Sequence, residues 1–190
     1  MAILSPNDIH YFSAFIGISD IQAISSCINP QYTENEIIYQ LEKTKAKLII
    51  CHPICIGKLL NIIKNGNLPA NYPIIVLDTN GTNSVQLPQN STLMSDILSD
   101  TMINNLDINA WMQTEEASFD AKNTVLTIPF SSGTTGKSKG VLLSHRNLMA
   151  NVLQMASLEE RYLVETEHQE RATVLNPLPF FHIYGLTAGS

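Results

Sequence analysis

The amino-terminal part of the chain alternates between short apolar runs and segments with helical periodicity. Residues 2–4, 48–51 and 74–77 have the length and composition of buried strands. A further apolar run covers residues 21–28 and is broken by Asn29-Pro30. Helix signals lie between these runs, and this order is typical of β-α-β units.

Three helices are predicted in this part from their start signals, stop signals and apolar spacing. The first runs from Ser5 or Asn7 to about Ile16, with Gly17 as its stop. The second runs from the capping box Thr33-Glu34-Asn35-Glu36 to about Lys45, with Ile37 and Leu41 on one face. The third is opened by Pro53 and ends at Asn65-Gly66-Asn67, and its apolar face is formed by Ile56, Leu59, Leu60 and Ile63.

The rest of the chain has fewer regular patterns. Residues 80–90 predict a surface loop, and residues 111–120 are only weakly patterned. Residues 125–130 predict a buried strand, after which residues 141–143 form a second apolar run. Residues 172–175 predict one more strand, after a mostly charged segment at 159–171 that is typical of a solvated helix end and loop.

One further helix is predicted after the second apolar run, because Ser144 is a residue type that caps helices. Its apolar residues form two stripes: Leu148, Val152 and Met155 form one, and Met149, Leu153 and Ala156 form the other. The methionines are expected to fill the core and not to act as ligands. Strands separated by helices predict an α/β fold with a mainly parallel sheet, helices on both faces, and a ligand bound outside the strand ends.

Composition and charge narrow the functional classes. A chain of 190 residues with 44% hydrophobic content fits one globular domain with a core. The formal net charge of −6 argues against nucleic acid or an anionic membrane as the main partner. The apolar stretch at residues 11–24 is interrupted by Asp20 and has no basic leader, so neither a signal peptide nor a membrane span is predicted and the cytoplasm is the expected compartment.

The three cysteines, Cys27, Cys51 and Cys55, are predicted to be reduced thiols in the core. The segment Cys51-His52-Pro53-Ile54-Cys55 has two residue types that bind metals, but no second Cys/His pair follows at a compatible spacing. We therefore interpret these residues as structural and predict no metal site from protein ligands.

The segment from Ser131 to Gly140, the glycine-rich loop, is the most distinctive stretch of the chain. It reads Ser131-Ser132-Gly133-Thr134-Thr135-Gly136-Lys137-Ser138-Lys139-Gly140. Glycines allow backbone N–H groups to converge on one anion, hydroxyls add donors, and the two lysines add positive charge. These residue types predict a polyphosphate site.

The residue types of the loop also permit two other interpretations. A Walker A loop requires a glycine at position 131, which is Ser131, so that motif is not matched. Glycine-rich segments also serve as flexible connections between strands. The charge pattern favours a phosphate site, because residues 121–158 contain no Asp or Glu in a chain with 17 acidic and 11 basic residues.

The glycine-rich loop closely resembles the signature loop of the adenylate-forming enzymes, which include acyl-CoA synthetases, 4-coumarate–CoA ligases and firefly luciferase. That family usually has proline where this chain has Ser138, which makes the loop more flexible. A second segment, Asn176-Pro177-Leu178-Pro179-Phe180-Phe181-His182-Ile183-Tyr184-Gly185-Leu186, resembles the family's Phe-His motif beside the acyl pocket. Residues 29–36 and 47–50 also look like segments of its N-terminal domain.

The resemblance implies a set of site residues and ligands. The nucleotide-binding positions are Ser131, Ser132, Gly133, Thr134, Thr135, Gly136 and Lys139. In the Phe-His motif, His182 would orient the carboxylate as the catalytic histidine, and Tyr184 and Gly185 would border the acyl pocket. The implied reaction joins a small carboxylic acid to coenzyme A with ATP and Mg²⁺, as in the 4-coumarate–CoA ligase branch.

The resemblance also implies that residues 1–190 are part of a longer N-terminal domain. The family's magnesium, ribose and catalytic-lysine positions have no counterpart here, so the isolated chain is expected to be an inactive fragment. Two alternatives stay open: a non-catalytic remnant with a binding role, and an adenylating enzyme with an acceptor other than coenzyme A. A peroxisomal location also stays open, because its signal would lie at a C-terminus beyond residue 190.

Overall fold

Five short strands form a parallel sheet in the computed structural model of the chain, which describes residues 1–78, 86–99, 104, 119–131, 137–162 and 176–188. The strands are β1 (Ala2–Leu4), β2 (Ser26–Ile28), β3 (Ile49–Cys51), β4 (Ile74–Val76) and β5 (Ser91–Leu93). Their spatial order is β2-β1-β3-β4-β5, and each neighbouring pair is parallel. The predicted α/β fold with a parallel sheet is confirmed.

Helices connect the first four strands. They are α1 (Tyr11–Asp20), α2 (Glu34–Thr44) and α3 (Ile56–Lys64), the last preceded by a 3-10 turn at Pro53–Cys55. A single turn, α4 (Met94–Ile97), follows β5. No helix in the described part of the chain is long and apolar enough to cross a membrane.

Helices cover both faces of the sheet. Successive residues of a strand point to opposite faces, so each strand contributes side chains to both clusters. Ala2 and Leu4 of β1 pack in one apolar cluster with α2 and α3, whereas Ile3 packs in a second cluster with α1. Ile3, Leu4, Ile28, Ile49 and Ile74 are almost completely buried. The predicted helices on both faces are therefore present.

The segment that carries the glycine-rich loop folds as two small antiparallel pairs of strands. The strands are β6 (Val125–Thr127), β7 (Phe130–Ser131), β8 (Lys139–Gly140) and β9 (Leu143–Ser144). β6 pairs with β9, and β7 pairs with β8. The single strand predicted for residues 125–130 is wrong in this respect, since Ile128 and Pro129 separate β6 from β7 and each of the two pairs with a different partner.

The two parts of the fold meet at the edge strand β2. Ser25 forms a parallel bridge with Thr127, and its N–H donates a hydrogen bond to the Leu126 carbonyl at 3.0 Å. The Ile128 N–H in turn donates to the Ser25 carbonyl at 2.8 Å. The strand that leads into the glycine-rich loop is thus fixed to the edge of the parallel sheet.

Two more helices follow, α5 (His145–Tyr162) and α6 (Ile183–Ala188). Ser144 caps α5 as predicted, because its hydroxyl accepts a hydrogen bond from the Asn147 N–H at 3.4 Å. The expectation that the methionines of α5 fill the core is wrong for Met149. Leu148 and the other members of its stripe are half-buried, but Met149 and Leu153 are 60% and 61% exposed.

Helix boundaries differ from the predictions in α1. The predicted start at Ser5 or Asn7 is too early, because the segment up to His10 forms turns in which the Asp8 carboxylate accepts the His10 N–H at 2.8 Å. Gly17 does not stop the helix. The chain turns instead at Gln22, which adopts a left-handed conformation with φ 55°, while the Ala23 N–H donates to the Ile18 carbonyl.

Candidate active site

The glycine-rich loop begins and ends in paired strands. Ser131 lies opposite Lys139 and Phe130 opposite Gly140 across β7 and β8, so the two ends of the loop are held side by side. The lysines at its carboxyl end, Lys137 and Lys139, have exposed side chains. The five predicted nucleotide-binding residues in between, Ser132, Gly133, Thr134, Thr135 and Gly136, lie outside the described residues.

The absence of a side chain at Gly140 is needed for this pairing. A Cβ there would lie 2.9 Å from Cγ2 of Ile128 and 3.1 Å from a ring carbon of Phe130. Both distances are tighter than ordinary van der Waals contact, so a larger residue would force the side chains of Ile128 and Phe130 to shift. The glycine therefore allows these two side chains to pack closely over β8.

Helix α2 contacts the carboxyl end of the loop through Tyr39. The Tyr39 hydroxyl donates a hydrogen bond to the Ser138 carbonyl at 3.2 Å, and its ring packs edge-on against Phe130 with a centroid distance of 6.4 Å. The Lys137 ammonium lies 5.6 Å from the centre of the same ring. Tyr39 of α2 thus contacts β7 and the two residues that precede β8.

The Phe-His motif precedes and enters α6. The His182 N–H donates to the Pro179 carbonyl at 3.0 Å, and His182 Nδ1 accepts the Tyr184 N–H at 3.3 Å. Because Nδ1 is an acceptor in this arrangement, the neutral imidazole carries its proton on Nε2. Nε2–H is therefore a hydrogen-bond donor on an exposed ring.

Asn7 holds the motif in place from the other end of the chain. Its Nδ2 donates to the Leu178 carbonyl at 2.8 Å, and its Oδ1 accepts the Phe180 N–H at 2.8 Å. The Phe180 ring also packs against Phe12 of α1 with a centroid distance of 4.7 Å. The two hydrogen bonds and the ring contact fix the backbone just before His182.

One cavity, the two-motif cavity, is lined by residues of both motifs. Its volume is roughly 530 Å³, and it contains Ser131 from the glycine-rich loop and His182 from the Phe-His motif. Its other walls come from β2, α2, the β7 to β9 segment and α6. These lining residues are Cys27, Asn29, Tyr32, Gln40, Pro129, Phe130, Val141, Leu143, Phe181 and Ile183.

Two residues of the predicted acyl pocket do not line this cavity. The Tyr184 side chain is 56% exposed and borders a separate pocket against α5 that includes Leu148. Gly185 is buried, and a Cβ on it would lie only 2.2 Å from the Pro179 carbonyl oxygen. Within the Phe-His motif, the described geometry brings His182, Phe181 and Ile183 to the cavity that also contains Ser131.

The inner wall of the two-motif cavity is polar but uncharged. Gln40 Nε2 donates to the Ser26 hydroxyl at 2.9 Å and to the Cys27 carbonyl at 3.0 Å, which fixes the amide orientation because a carbonyl only accepts. Burial raises the pKa of Cys27 to about 11, so its thiol is protonated at neutral pH. No negative charge from this wall opposes an incoming phosphate.

The other two cysteines belong to the core. Cys51 and Cys55 are free and buried in the apolar cluster beside α3, which confirms the prediction of core thiols for all three cysteines together with buried Cys27. Burial also lowers the pKa of His52, whose Nδ1 accepts the Ile54 N–H at 3.2 Å. Among the described residues, no group of three or more His, Cys, Asp or Glu side chains is arranged to hold a metal ion.

Tyr39 and Asn7 were missed as residues that support the site. Tyr39 contacts a residue 99 positions away, and Asn7 contacts one 171 positions away. Both lie in segments whose periodicity and capping signals indicate only ordinary helices and turns. Nothing in a single sequence marks such contacts, because they depend on how distant elements pack.

Comparison with known proteins gives the family of the chain. The model of the AMP-binding enzyme family matches residues 1–189. The chain therefore belongs to the AMP-binding enzyme family, which agrees with the resemblance of its two motifs to the adenylate-forming enzymes.

Individual relatives share this assignment. A protein named probable 4-coumarate–CoA ligase 2 of Dictyostelium discoideum is 34% identical over 188 residues, which are 98% of this chain and 32% of that protein. 4-coumarate–CoA ligase 3 of Arabidopsis thaliana is 33% identical over 186 residues, with 98% of this chain and 29% of that protein covered. The chain thus spans about a third of the length of these relatives.

Solved structures agree with the fold. A natural red-emitting luciferase from Phrixothrix hirtus superimposes with a TM-score of 0.74 at 26% identity, over 98% of this chain and 33% of the luciferase. ATP-bound MatB from Rhodopseudomonas palustris has the same fold, with a TM-score of 0.63 at 20% identity over 99% of this chain and 31% of MatB.

Proposed function

We propose that the protein activates a carboxylic acid as an acyl-adenylate and transfers the acyl group to coenzyme A. The observation that carries this proposal is the two-motif cavity, in which Ser131 and His182 line the same space. One motif brings residue types suited to polyphosphate, and the other brings a histidine with a free N–H donor. A reaction between a nucleotide phosphate and a carboxylate needs both groups side by side.

The glycine-rich loop holds the β- and γ-phosphates of ATP in this proposal. Ser131 and Lys139 are paired at its base, so a hydroxyl and an ammonium approach the same ligand from two strands. Ser132, Gly133, Thr134, Thr135 and Gly136 supply further hydroxyls and backbone N–H groups. Charge grows on the leaving pyrophosphate as the reaction proceeds, and donors aimed at that charge stabilise the transition state.

The acid binds on the side of the Phe-His motif. His182 Nε2–H donates to one carboxylate oxygen and orients the other toward the α-phosphate. Phe130, Phe181 and Ile183 give this side of the cavity apolar walls, which suit an aromatic or aliphatic acid. Gly185 acts indirectly by keeping α6 close to Pro179, and Tyr184 borders the neighbouring pocket against α5, where it would meet only a part of the acid that extends beyond the two-motif cavity.

Two half-reactions follow. The carboxylate oxygen attacks the α-phosphorus and pyrophosphate leaves, and then the thiol of coenzyme A attacks the acyl carbon and AMP leaves. Mg²⁺ enters with ATP as part of the substrate and screens its phosphate charge. Coenzyme A is the preferred acceptor because the curated relatives described above are named 4-coumarate–CoA ligases.

Carboxylate-dependent exchange of pyrophosphate into ATP, measured on the native protein with a panel of carboxylic acids, tests the proposal. The variant Thr134→Ala with Lys139→Ala should lose at least about a hundredfold in rate, since lost charged hydrogen bonds to a transition state cost about 2–4 kcal/mol. Lys64→Ala, an exposed lysine at the end of α3, is the control and should exchange at the wild-type rate. Unchanged exchange in the double variant would show that the loop does not bind the phosphates.

A further inference from the structure

Tyr39 is a side chain outside the two motifs that contacts described residues on both sides of the glycine-rich loop. Its hydroxyl bonds to the Ser138 carbonyl, its ring edge meets Phe130 of β7, and its ring centre lies 5.6 Å from the Lys137 ammonium. The side chain is half-buried, and α2 fixes its backbone. Tyr39 therefore contacts β7 and both residues that precede β8, Lys137 and Ser138.

The backbone at Ser138 has a particular need for such a contact. Serine does not restrict φ, so the chain entering β8 has more freedom than a proline would allow. The antiparallel pairing starts only at Lys139, opposite Ser131. The hydrogen bond from Tyr39 therefore restrains the carbonyl just before the position where the paired strands take over.

Two lysine side chains lie close to the ring of Tyr39. The Lys43 ammonium lies 5.7 Å from its centre, close to the distance found for Lys137. A cation over an aromatic face is attracted by the electrons of the ring, which offsets part of the repulsion between the two lysines. The exposed Lys137 side chain is thus held beside the Tyr39 ring, near the base of the loop.

We propose that Tyr39 is a positioning residue for polyphosphate binding, which fixes the Ser138 backbone and the Lys137 side chain at the carboxyl end of the glycine-rich loop. This inference rests on the proposed function of the loop. Groups that are held in place before the ligand arrives lose less conformational freedom on binding, and the affinity rises accordingly. The ligand itself touches the loop and not Tyr39.

Three substitutions separate the contributions of Tyr39. Tyr39→Phe removes only the hydrogen bond to Ser138 and keeps the ring against Phe130 and Lys137. Tyr39→Leu removes the ring as well. Tyr72→Phe is the matched control. The Tyr72 hydroxyl also donates to a backbone carbonyl, that of Ala46, which follows the carboxyl end of α2.

Two measurements on the chain distinguish positioning from simple structural support. Hydrogen exchange of the amides in β7 and β8 should become faster in Tyr39→Phe and faster again in Tyr39→Leu. Calorimetric titration with inorganic tripolyphosphate and with ATP should show affinity weaker by about three- to tenfold in Tyr39→Phe, the equivalent of one lost hydrogen bond. Tyr72→Phe should change neither quantity, and the melting temperatures of the two Phe variants should agree closely.

Ser138→Pro provides a rescue experiment. In the described part of the chain, positive φ among non-glycine residues occurs at Gln22 and Lys45, so the φ of Ser138 is not positive. Proline is therefore sterically admissible at position 138 on this criterion. In the Ser138→Pro background the backbone is already restrained, and Tyr39→Phe should weaken tripolyphosphate binding by less than about twofold. An equal loss in both backgrounds would overturn the proposal.

The outcomes also separate this inference from the proposed function. Unchanged exchange in β7 and β8 of Tyr39→Phe would overturn the role of Tyr39, whatever the chain binds. A wild-type chain that binds neither tripolyphosphate nor ATP would overturn the phosphate role of the loop and with it the role of Tyr39 in affinity. Faster exchange, weaker binding and rescue by proline together support the inference.

Discussion

Gly185 shows how a single position in a motif can be constrained by packing alone. It lies in α6 directly beneath the Pro179 carbonyl, which leaves no room for even one methyl group. The close approach brings the start of the Phe-His motif against the helix that ends it. His182 is held between these two points, so its orientation depends on a residue that carries no functional group.

Gly185→Ala should therefore lower the free energy of unfolding by about 1–3 kcal/mol, the usual effect of forcing extra volume into a packed region. Thermal unfolding of the chain measures this change. Gly17→Ala is the matched control: nothing lies within 4 Å of a Cβ at that helical position, so the alanine should stabilise α1 by about 0.5–1 kcal/mol. Equal effects at the two positions would contradict the packing role of Gly185.

The two motifs could be predicted from the sequence, but the individual residues that hold them in place could not. The roles of Ser131 and His182 were predicted from the resemblance of the two motifs to those of the adenylate-forming enzymes, and both residues line one cavity. Tyr39 and Asn7 make specific hydrogen bonds to the motifs, yet each occupies an ordinary position in its own segment. Motif residues carry local signals, whereas their partners are selected by tertiary packing.

Helix α2 contacts the carboxyl end of the glycine-rich loop through Tyr39, and its start is well defined. The Thr33 hydroxyl accepts the Glu36 N–H at 3.4 Å, while a Glu36 carboxylate oxygen accepts the Thr33 N–H at 2.8 Å. Hydrogen bonds from the Thr33 backbone and side chain lower the pKa of Glu36 below its ordinary value. The box was predicted from four residues, since all of its contacts are local.

Thr33→Ala should cost about 1 kcal/mol of stability, as expected for the loss of a helix cap. Thr33→Ser keeps the hydroxyl and is the control. Chemical denaturation at several pH values adds a second test: a carboxyl with a lowered pKa contributes stability above its unfolded value and loses that contribution as the pH falls through its folded value. The difference between wild type and Glu36→Gln should therefore shrink below about pH 4.5, and a constant difference would contradict the box.

Elements with weaker local signals were predicted less well. The edge strand β5 was not predicted, because Leu93 is the one apolar residue among Ser91, Thr92 and Leu93 and gives no apolar run. It forms because the neighbouring strand β4 offers free backbone groups, and the Ile74 N–H bonds to the Asn90 carbonyl at 3.2 Å. The split of the strand at residues 125–130 also depends on partners far away in the sequence.

The molecule as a whole has one face whose apolar residues are not covered by the described part of the chain. A groove of roughly 650 Å³ lies between α1 and α5, and its walls are almost entirely apolar. Ile16, Phe119, Met149 and Leu153 line it and are each 46% to 61% exposed. Exposed apolar patches of this kind bind apolar dyes and promote association.

The 190-residue chain should therefore bind an apolar fluorescent dye and self-associate as its concentration rises. Replacing Met149 and Leu153 together with lysine should reduce both effects with little loss of stability, because both side chains are exposed. Ile54→Lys, at a residue 74% exposed on the 3-10 turn before α3, is the control and should leave them unchanged. Sedimentation velocity and dye fluorescence measure the two effects, and a monomer without dye binding would contradict this prediction.

The bonds that assemble the site join parts of the chain that are made at very different times during synthesis. Asn7 bonds to Leu178, Ser25 to Leu126 and Tyr39 to Ser138, over separations of 171, 101 and 99 residues. Closing such long loops is slow, whereas β1 to β4 are linked through short helical connections. The cavity should therefore be the last part of the chain to fold and the first to open, and a ligand that filled it would tie residues 27–40 of the amino-terminal part to both motifs.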